Sequence, residues 1–348
     1  MAGQVVDRVE DGMDVRWTRV RWVALGLFAT VLLTVSLTAG VSIDRVGVTL
    51  WILTGLSLWS IGRGWSTWLR LLRDWGIFQG LLLLYDYGYG LAGRYRTGGA
   101  LPSEGDPNVL GIPLHVTWPI KADEFLFGGV LPNQWLQEQL GAGVPWWAWI
   151  VTLTYCSHFF AAPVLAVVLW VRSRDRFHVW VRMMFAMAGA GITTYFLYPM
   201  APPWLASDQG YIEGTAIVRQ TGEGWTQLGF HLASQVLQDG QNRSNPVAAM
   251  PSLHMATAVL VAGFLMVGAR RWVKALWILY PVLMAFTLVY TGEHYVIDVI
   301  MGTLLAVVIL QVWLWLRRRR LAREALGEAE AVVAGAEDEA LRAPDLVR

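Results

Sequence analysis

Tyr290-Thr291-Gly292-Glu293-His294-Tyr295-Val296-Ile297-Asp298 leads straight into an almost wholly apolar run that continues to Leu316. Upstream, Met250-Pro251-Ser252-Leu253-His254 leads into a second such run, Met255 to Val267. Each stretch sets a histidine at the edge of a long apolar segment, and a membrane-spanning helix needs about 20 such residues. The spacing predicts that Asp298, four residues after His294, lies one helical turn on and on the same face. A buried His–Asp pair with a second histidine is equipment for nucleophilic and acid–base chemistry near neutral pH.

The composition says where such chemistry would happen. Of 348 residues, 55% are hydrophobic and 15% are charged, against about 25% charged in soluble domains. The mean hydropathy of +0.44 predicts an all-α, polytopic membrane helix bundle. The 20 Trp, 12 Phe and 11 Tyr suit interfacial belts or helix packing. The single cysteine, Cys156, excludes an internal disulfide and a Cys-based zinc site. A net charge of +1 argues against a nucleic-acid partner.

Hydropathy predicts about eight spans, near 21–41, 46–62, 75–93, 146–170, 179–199, 252–269, 272–291 and 295–316. The first follows Arg16, Arg19 and Arg21 and reads as a signal anchor. The third holds Asp86 among Tyr85, Tyr87, Gly88, Tyr89 and Gly90, which suggests a broken or inward-facing helix. Two long connections, about 94–145 and 200–251, are rich in Gly, Pro, Trp and polar residues. Within the first, the stretch from Asp123 to Gln137 predicts a short interfacial helix. The chain divides into a segment 1–20, a membrane domain 21–316 and an Ala/Glu-rich tail 317–348. That tail is expected to be soluble and partly helical or disordered. There is no internal repeat.

Basic residues set the expected orientation. With a cytoplasmic N-terminus, only Arg45, Arg94, Arg96, Lys121, Arg219 and Arg243 of the 27 Lys and Arg fall outside. Both termini are then cytoplasmic and both long connections lie outside. His254 and His294 share the outer membrane face.

Each polar group has a plainer reading beside the functional one. His294 and Asp298 can form a nucleophile and its orienter, or simply bridge helices. With His254 they can also be drawn as a two-histidine, one-carboxylate metal set. Ser252 is a natural N-cap, and the first-turn N–H groups behind it would face an anion; an ordinary helix start is the alternative. Asp123 and Glu124 can meet a polyol headgroup or cap a helix.

Beyond these single-residue readings, Met250–His254 and Tyr290–Asp298 resemble the second and third signatures of the type 2 phosphatidic acid phosphatase superfamily. The resemblance is closest to its inositolphosphotransferase branch, which includes fungal inositol phosphorylceramide synthases and many actinobacterial membrane proteins. Tyr155-Cys-Ser-His-Phe-Phe-Ala-Ala-Pro163 looks like that family's Ser-His-Phe…Pro segment. Ala201-Pro-Pro-Trp204 is similar to its Ala-Pro-Pro-Trp turn. Leu126-Phe-Gly128 with Pro132 and Trp135-Leu-Gln137 resembles its first outer loop.

The resemblance implies a six-helix core with extra N-terminal helices, and chemistry without cofactor or metal. It makes His294 the nucleophile that forms a phosphohistidine, Asp298 its orienter, and His254 the acid that protonates the leaving group. It also departs from the phosphatase pattern. No Lys-x6-Arg-Pro motif precedes the second signature, and Thr287 and Leu288 stand where phosphatases carry Ser-Arg. The missing phosphate clamp is expected from Arg243, near the second motif, or from Arg219. Ser252 and His158 complete the expected substrate-binding set. The implied substrate is a phospholipid or polyprenyl phosphate, and the acceptor a polyol such as inositol, a glycolipid or water. A plain lipid phosphatase is one alternative. A non-catalytic transporter or scaffold is another, although a transporter would favour an inverted repeat.

Overall fold

The structure is a computed structural model, and it describes residues 15–38, 45–97, 100–141 and 145–342. Most of the expected N-terminal segment, the end of the first span and the last six residues lie outside the described residues. The helices are α1 (Val15–Thr38), α2 (Arg45–Trp59), α3 (Trp65–Ala92), α4 (Thr117–Leu126) and α5 (Pro132–Leu140). Then come α6 (Ala148–Arg172), α7 (Arg174–Leu197), α8 (Pro203–Asp208), α9 (Glu223–Gln227) and α10 (His231–Asn242). The last three are α11 (Leu253–Met266), α12 (Arg271–Tyr290) and α13 (Val296–Arg342). Among the described residues there are no strands, only isolated bridges such as His115 to Met200.

Each of the eight expected spans falls on a helix, and the chain is an all-α polytopic membrane bundle. Four helices, α1, α6, α12 and α13, are long and apolar enough to cross a bilayer, while α2 and α11 are shorter apolar helices. Their outward faces carry Leu27, Leu276, Leu279, Val282 and Val308, all more than half exposed. So much apolar surface would be a liability in water and is solvated by lipid tails.

Of the two readings of the third span, broken or inward-facing, the second holds: it is one unbroken helix that starts at Trp65, ten residues early, and runs through Asp86, which lines a cavity. It carries Asp74 because the buried carboxylate has three donors: Arg174 at the start of α7, Trp170 Nε1 at 3.1 Å and Arg73 Nε at 3.2 Å. A charge held this way no longer ends the helix. The tail, expected to be partly helical or disordered, is helical. Within the described residues α13 continues to Arg342, because the stretch after Leu316 is dominated by Ala, Leu, Arg and Glu, which are strong helix formers.

The bundle core is set by Trp75, Phe177, Trp180, Leu260 and Phe264, from α3, α7 and α11. Gly263 lets α11 approach Leu310 of α13 so closely that a Cβ would collide with it. The two long connections fold over one end as a cap with its own apolar core. Leu114, Val116, Met200, Leu205, Ile217 and Val247 pack there against Tyr295. Each such side chain contributes roughly 1.5–3 kcal/mol on burial, so the cap is anchored by more than loop closure.

One cap residue starts the last helix. Asp123 of α4 is fully buried, and its two carboxylate oxygens accept Val296 N–H at 2.7 Å and Ile297 N–H at 2.9 Å. It therefore satisfies donors that every helix N-terminus leaves open. The expected short helix at 123–137 is in fact two, α4 and α5, separated by Gly128 and Gly129 in left-handed backbone. Burial pushes the Asp123 carboxyl up to about 6, against the lowering effect of its two N–H donors. The folded protein thus keeps that proton to about pH 6, while an unfolded chain releases it near pH 4. The group's contribution to stability is complete below about pH 4 and is lost as the pH rises through 6, on the order of 3 kcal/mol. Asp123→Asn cannot ionise. Its melting temperature relative to wild type is expected to rise between pH 4 and 7; a constant difference would show that Asp123 does not titrate there.

Candidate active site

The 290–295 turn that carries His294 is gripped from every side. Gly292 has φ 72°, and a Cβ there would meet Ile217 at 2.8 Å, so backbone sign and space both require glycine. Asn133 of α5 donates to the carbonyls of Val289 and His294, at 2.7 and 2.9 Å. Gln137, one turn further along α5, donates to Tyr290 O and Val218 O, both at 2.8 Å, and accepts from Val218 N–H. Trp204 N–H donates to Gly292 O. Asn133 and Gln137 are buried, and losing such partners would strand carbonyls at roughly 1–3 kcal/mol each.

His294 precedes α13 rather than lying on it, so the His294–Asp298 pair does not run along a helix face. Asp298 sits in the first turn of α13, and its Oδ2 accepts Tyr295 N–H at 3.0 Å. The same oxygen lies 3.3 Å from His294 Nδ1. The carboxylate thus faces Nδ1, and Nε2 makes no hydrogen bond among the described residues. This is the tautomer arrangement that leaves Nε2 with a lone pair.

The second motif is joined directly to the third. Ser252 N–H donates to the Asp298 carbonyl at 3.2 Å. A Cβ on Gly302 would strike Ser252 O, which shows how closely α11 and α13 approach here. Ser252 is fully buried and its hydroxyl accepts Met255 N–H at 3.3 Å. It is the N-cap of α11 and does not line the cavity described below. Two residues on, His254 faces His294 with ring centroids 5.7 Å apart. Tyr155 stacks on His254 at 4.8 Å and His158 lies against it at 4.1 Å. His254 Nε2 is buried and has no hydrogen-bond partner among the described residues.

Both catalytic candidates line one cavity of about 670 Å³, which also takes in His158, Arg219, Arg243 and Asp86. That volume is typical of small-molecule sites, about 300–1,000 Å³. Arg219 is mostly buried and forms a two-point ion pair with Glu293, next in sequence to His294. Its guanidinium also lies 4.8 Å over the Trp204 ring. Arg243, at the C-terminal end of α10, is exposed, and among the described residues its side chain makes no hydrogen bond or ion pair. Glu124 does not line the cavity, and Asp123 is committed to capping α13. Among the described residues no group of three or more His, Cys, Asp or Glu could hold a metal ion. Asp298 does not line the cavity and is engaged by His294.

Several site residues lay outside the sequence expectations. Gln241 of α10 bonds Tyr155 Oη at 3.0 Å, Thr221 Oγ1 at 2.8 Å and Glu293 Oε1 at 3.2 Å. This network fixes the wall between the two histidines and Arg219. Tyr155 and Glu293 sit inside the quoted motif stretches, so their neighbourhood was visible. Gln137 ends the Trp135-Leu-Gln137 stretch quoted for the first outer loop, whereas Asn133 and Gln241 carry no local signal.

The sequence profile described as the PAP2 superfamily matches residues 120–312. A phosphoinositol dihydroceramide synthase of Bacteroides thetaiotaomicron is 26% identical over 216 residues, 56% of this chain and 66% of the relative. The inositol phosphorylceramide synthase catalytic subunit of Schizosaccharomyces pombe is 26% identical over 153 residues, 43% of this chain and 36% of the relative. The chain therefore spans just under two thirds of the first relative's length and about a third of the second's. No solved structure matches. The matched span runs from α4 to α13 and contains both histidine motifs and the cap that holds them: the chain belongs to the PAP2 superfamily, with likeness to its inositol phosphorylceramide synthases.

Proposed function

We propose that the chain is an integral-membrane lipid phosphotransferase working through a phosphohistidine on His294. The observation that carries this reading is the pair of histidines facing each other across one cavity, with Asp298 on Nδ1 of only one of them. In the first half-reaction the His294 Nε2 lone pair attacks phosphorus. The bond from phosphorus to the leaving alcohol breaks, and His254 gives that oxygen a proton. In the second, an acceptor hydroxyl attacks the same phosphorus and passes its proton to His254, and the N–P bond breaks. Asp298 holds the His294 ring and stabilises its positive charge during attack.

The charges around the cavity favour a phosphodiester donor over a phosphate monoester. Its lining has two arginines, Arg219 and Arg243, and three carboxylates, Asp86, Asp239 and Glu293. Arg219 is already neutralised by Glu293. Thr287 and Leu288, at the positions where phosphatases carry Ser-Arg, are fully buried in α12 and do not line the cavity. A dianion finds little compensation in such a site. A monoanionic diester bearing a hydroxyl-rich headgroup finds one free guanidinium and carboxylates to accept its hydroxyls. The names of the two relatives point the same way, to a phosphoinositol group and a ceramide-type alcohol. Transfer to water, giving a plain lipid phosphatase, is the second reading, since the same intermediate serves both.

In a transfer assay with phosphatidylinositol as donor and a long-chain alcohol or ceramide as acceptor, His294→Ala is expected to lower turnover by about a thousandfold or more. His254→Ala should cost roughly 100- to 10,000-fold. Full turnover by His294→Ala on every lipid the wild type processes would end this reading.

The arginine distribution supports a cytoplasmic N-terminus, a cytoplasmic tail and an active site on the outer face. Cys156 is buried, so introduced cysteines report with little background. A membrane-impermeant maleimide should label Glu213→Cys in intact cells, and Arg323→Cys only after lysis. The reverse pattern would invert the topology.

A further inference from the structure

The end of the bundle remote from the histidines carries a second cavity, of about 880 Å³, between α7 and α13. It exists because α11 is short. That helix ends at Met266 and turns away through Val267 and Gly268, while α7 and α13 continue beside the gap it leaves. Phe264, in the last turn of α11, closes the inner wall and stacks on Trp313 with ring centroids 5.2 Å apart. Along α13 the wall is Val308, Val312 and Leu316, all more than a third exposed.

The chemistry changes along the groove. Arg317 and Arg320 of α13 and Arg176 and Arg182 of α7 all line the same groove. The 21 residues from Val296 to Leu316 rise about 31 Å as a helix, which matches the hydrocarbon thickness of a bilayer, about 30 Å. Arg317 and Arg320 therefore fall at headgroup level and the apolar wall of α13 beside acyl chains; Arg176 and Arg182, about 9 Å apart along α7, face the same groove from its other side. Two acids also line the groove, Asp175 and Glu324, and both act on Arg320. Glu324 accepts its Nε–H at 2.7 Å, and Asp175 lies within its Coulombic reach. Arg176, Arg182 and Arg317 form no ion pair among the described residues; Arg176 instead lies over the Phe264 ring at 5.1 Å.

We propose that this groove is a binding site for an anionic phospholipid, separate from the active site. Its phosphate sits among Arg176, Arg182 and Arg317, and an acyl chain lies along Val308, Val312 and Leu316. The charge decides the occupant. Three unpaired guanidiniums over an apolar groove suit a negative headgroup, whereas a zwitterionic lipid or a second copy of the chain leaves them uncompensated. The site does not depend on the phosphotransferase reading. It would let the lipid composition of that leaflet stabilise the junction of α7, α11 and α13.

The test uses the full-length chain in micelles, with phosphatidylglycerol or phosphatidylcholine of equal chain length added and retained lipid counted by native mass spectrometry. Wild type is expected to retain phosphatidylglycerol over phosphatidylcholine by at least about tenfold, because arginines near the membrane surface favour anionic headgroups. The triple variant R176Q/R182Q/R317Q should lose that preference, and the corresponding triple lysine variant should keep most of it. Lipid bound in the catalytic cavity would be unaffected by these changes. Equal retention of the two lipids by wild type, or an unchanged preference in the glutamine variant, overturns the proposal. A second reading needs no arginine variant. Dibrominated phosphatidylglycerol should quench the Trp313 component, taken as wild type minus Trp313→Phe, more than dibrominated phosphatidylcholine does. Equal quenching also overturns it.

Discussion

A single backbone hydrogen bond, from Ser252 N–H to the Asp298 carbonyl, joins the start of α11 to the first turn of α13. Everything else at the site is arranged around that junction. It fixes the relative depth of two helices whose N-terminal ends carry the two histidine motifs. The close packing at Gly302 and Gly263 then holds the two helices together along their length. Because His254 and His294 each lie next to the junction, a small slip of one helix would separate the rings. Ser252 and Asp298 are both fully buried, so an unmade backbone bond there has no water to replace it.

The cap turns that junction into a site. Helices alone would leave the 290–295 turn facing open solvent with unpaired carbonyls. Asn133 and Gln137 take up those carbonyls, Asp123 takes up the N–H groups of α13, and the Trp204 amide bonds Gly292. The result is a turn fixed by side chains from α4, α5 and the 200–251 connection, as preorganised catalysis demands. The Arg219–Glu293 pair and the Gln241 network then set the cavity's electrostatics. Arg219, one of the two arginines lining the cavity, is thereby already paired with a carboxylate.

How much of this was legible follows from how local each signal is. The apolar runs predicted the helices because a membrane span is a matter of composition. The two histidine motifs were expected at one depth, at the ends of two spans, and the fold brings the rings to 5.7 Å between centroids. The His294–Asp298 contact was expected for a partly wrong reason. The residues touch, but through the turn before α13 and its first turn, not along a helix face. Asn133 and Gln137 were invisible as site residues because a polar residue on a short amphipathic helix reads as a wet face. Only the fold shows that this face is turned inward. Asp123 capping a helix 173 residues away, and α3 passing unbroken through Asp74 because of a partner on α7, are long-range facts that no local pattern carries.

The central claim is that phosphorus passes through nitrogen on His294. The direct measurement is to incubate the His254→Ala variant with phosphatidylinositol radiolabelled at phosphorus, quench at alkaline pH, where phosphohistidine survives, and map the labelled peptide. Slowed release in that variant should leave label on His294, stable to base and lost in acid. Label on another residue, or none while the lipid is still consumed, would contradict the account.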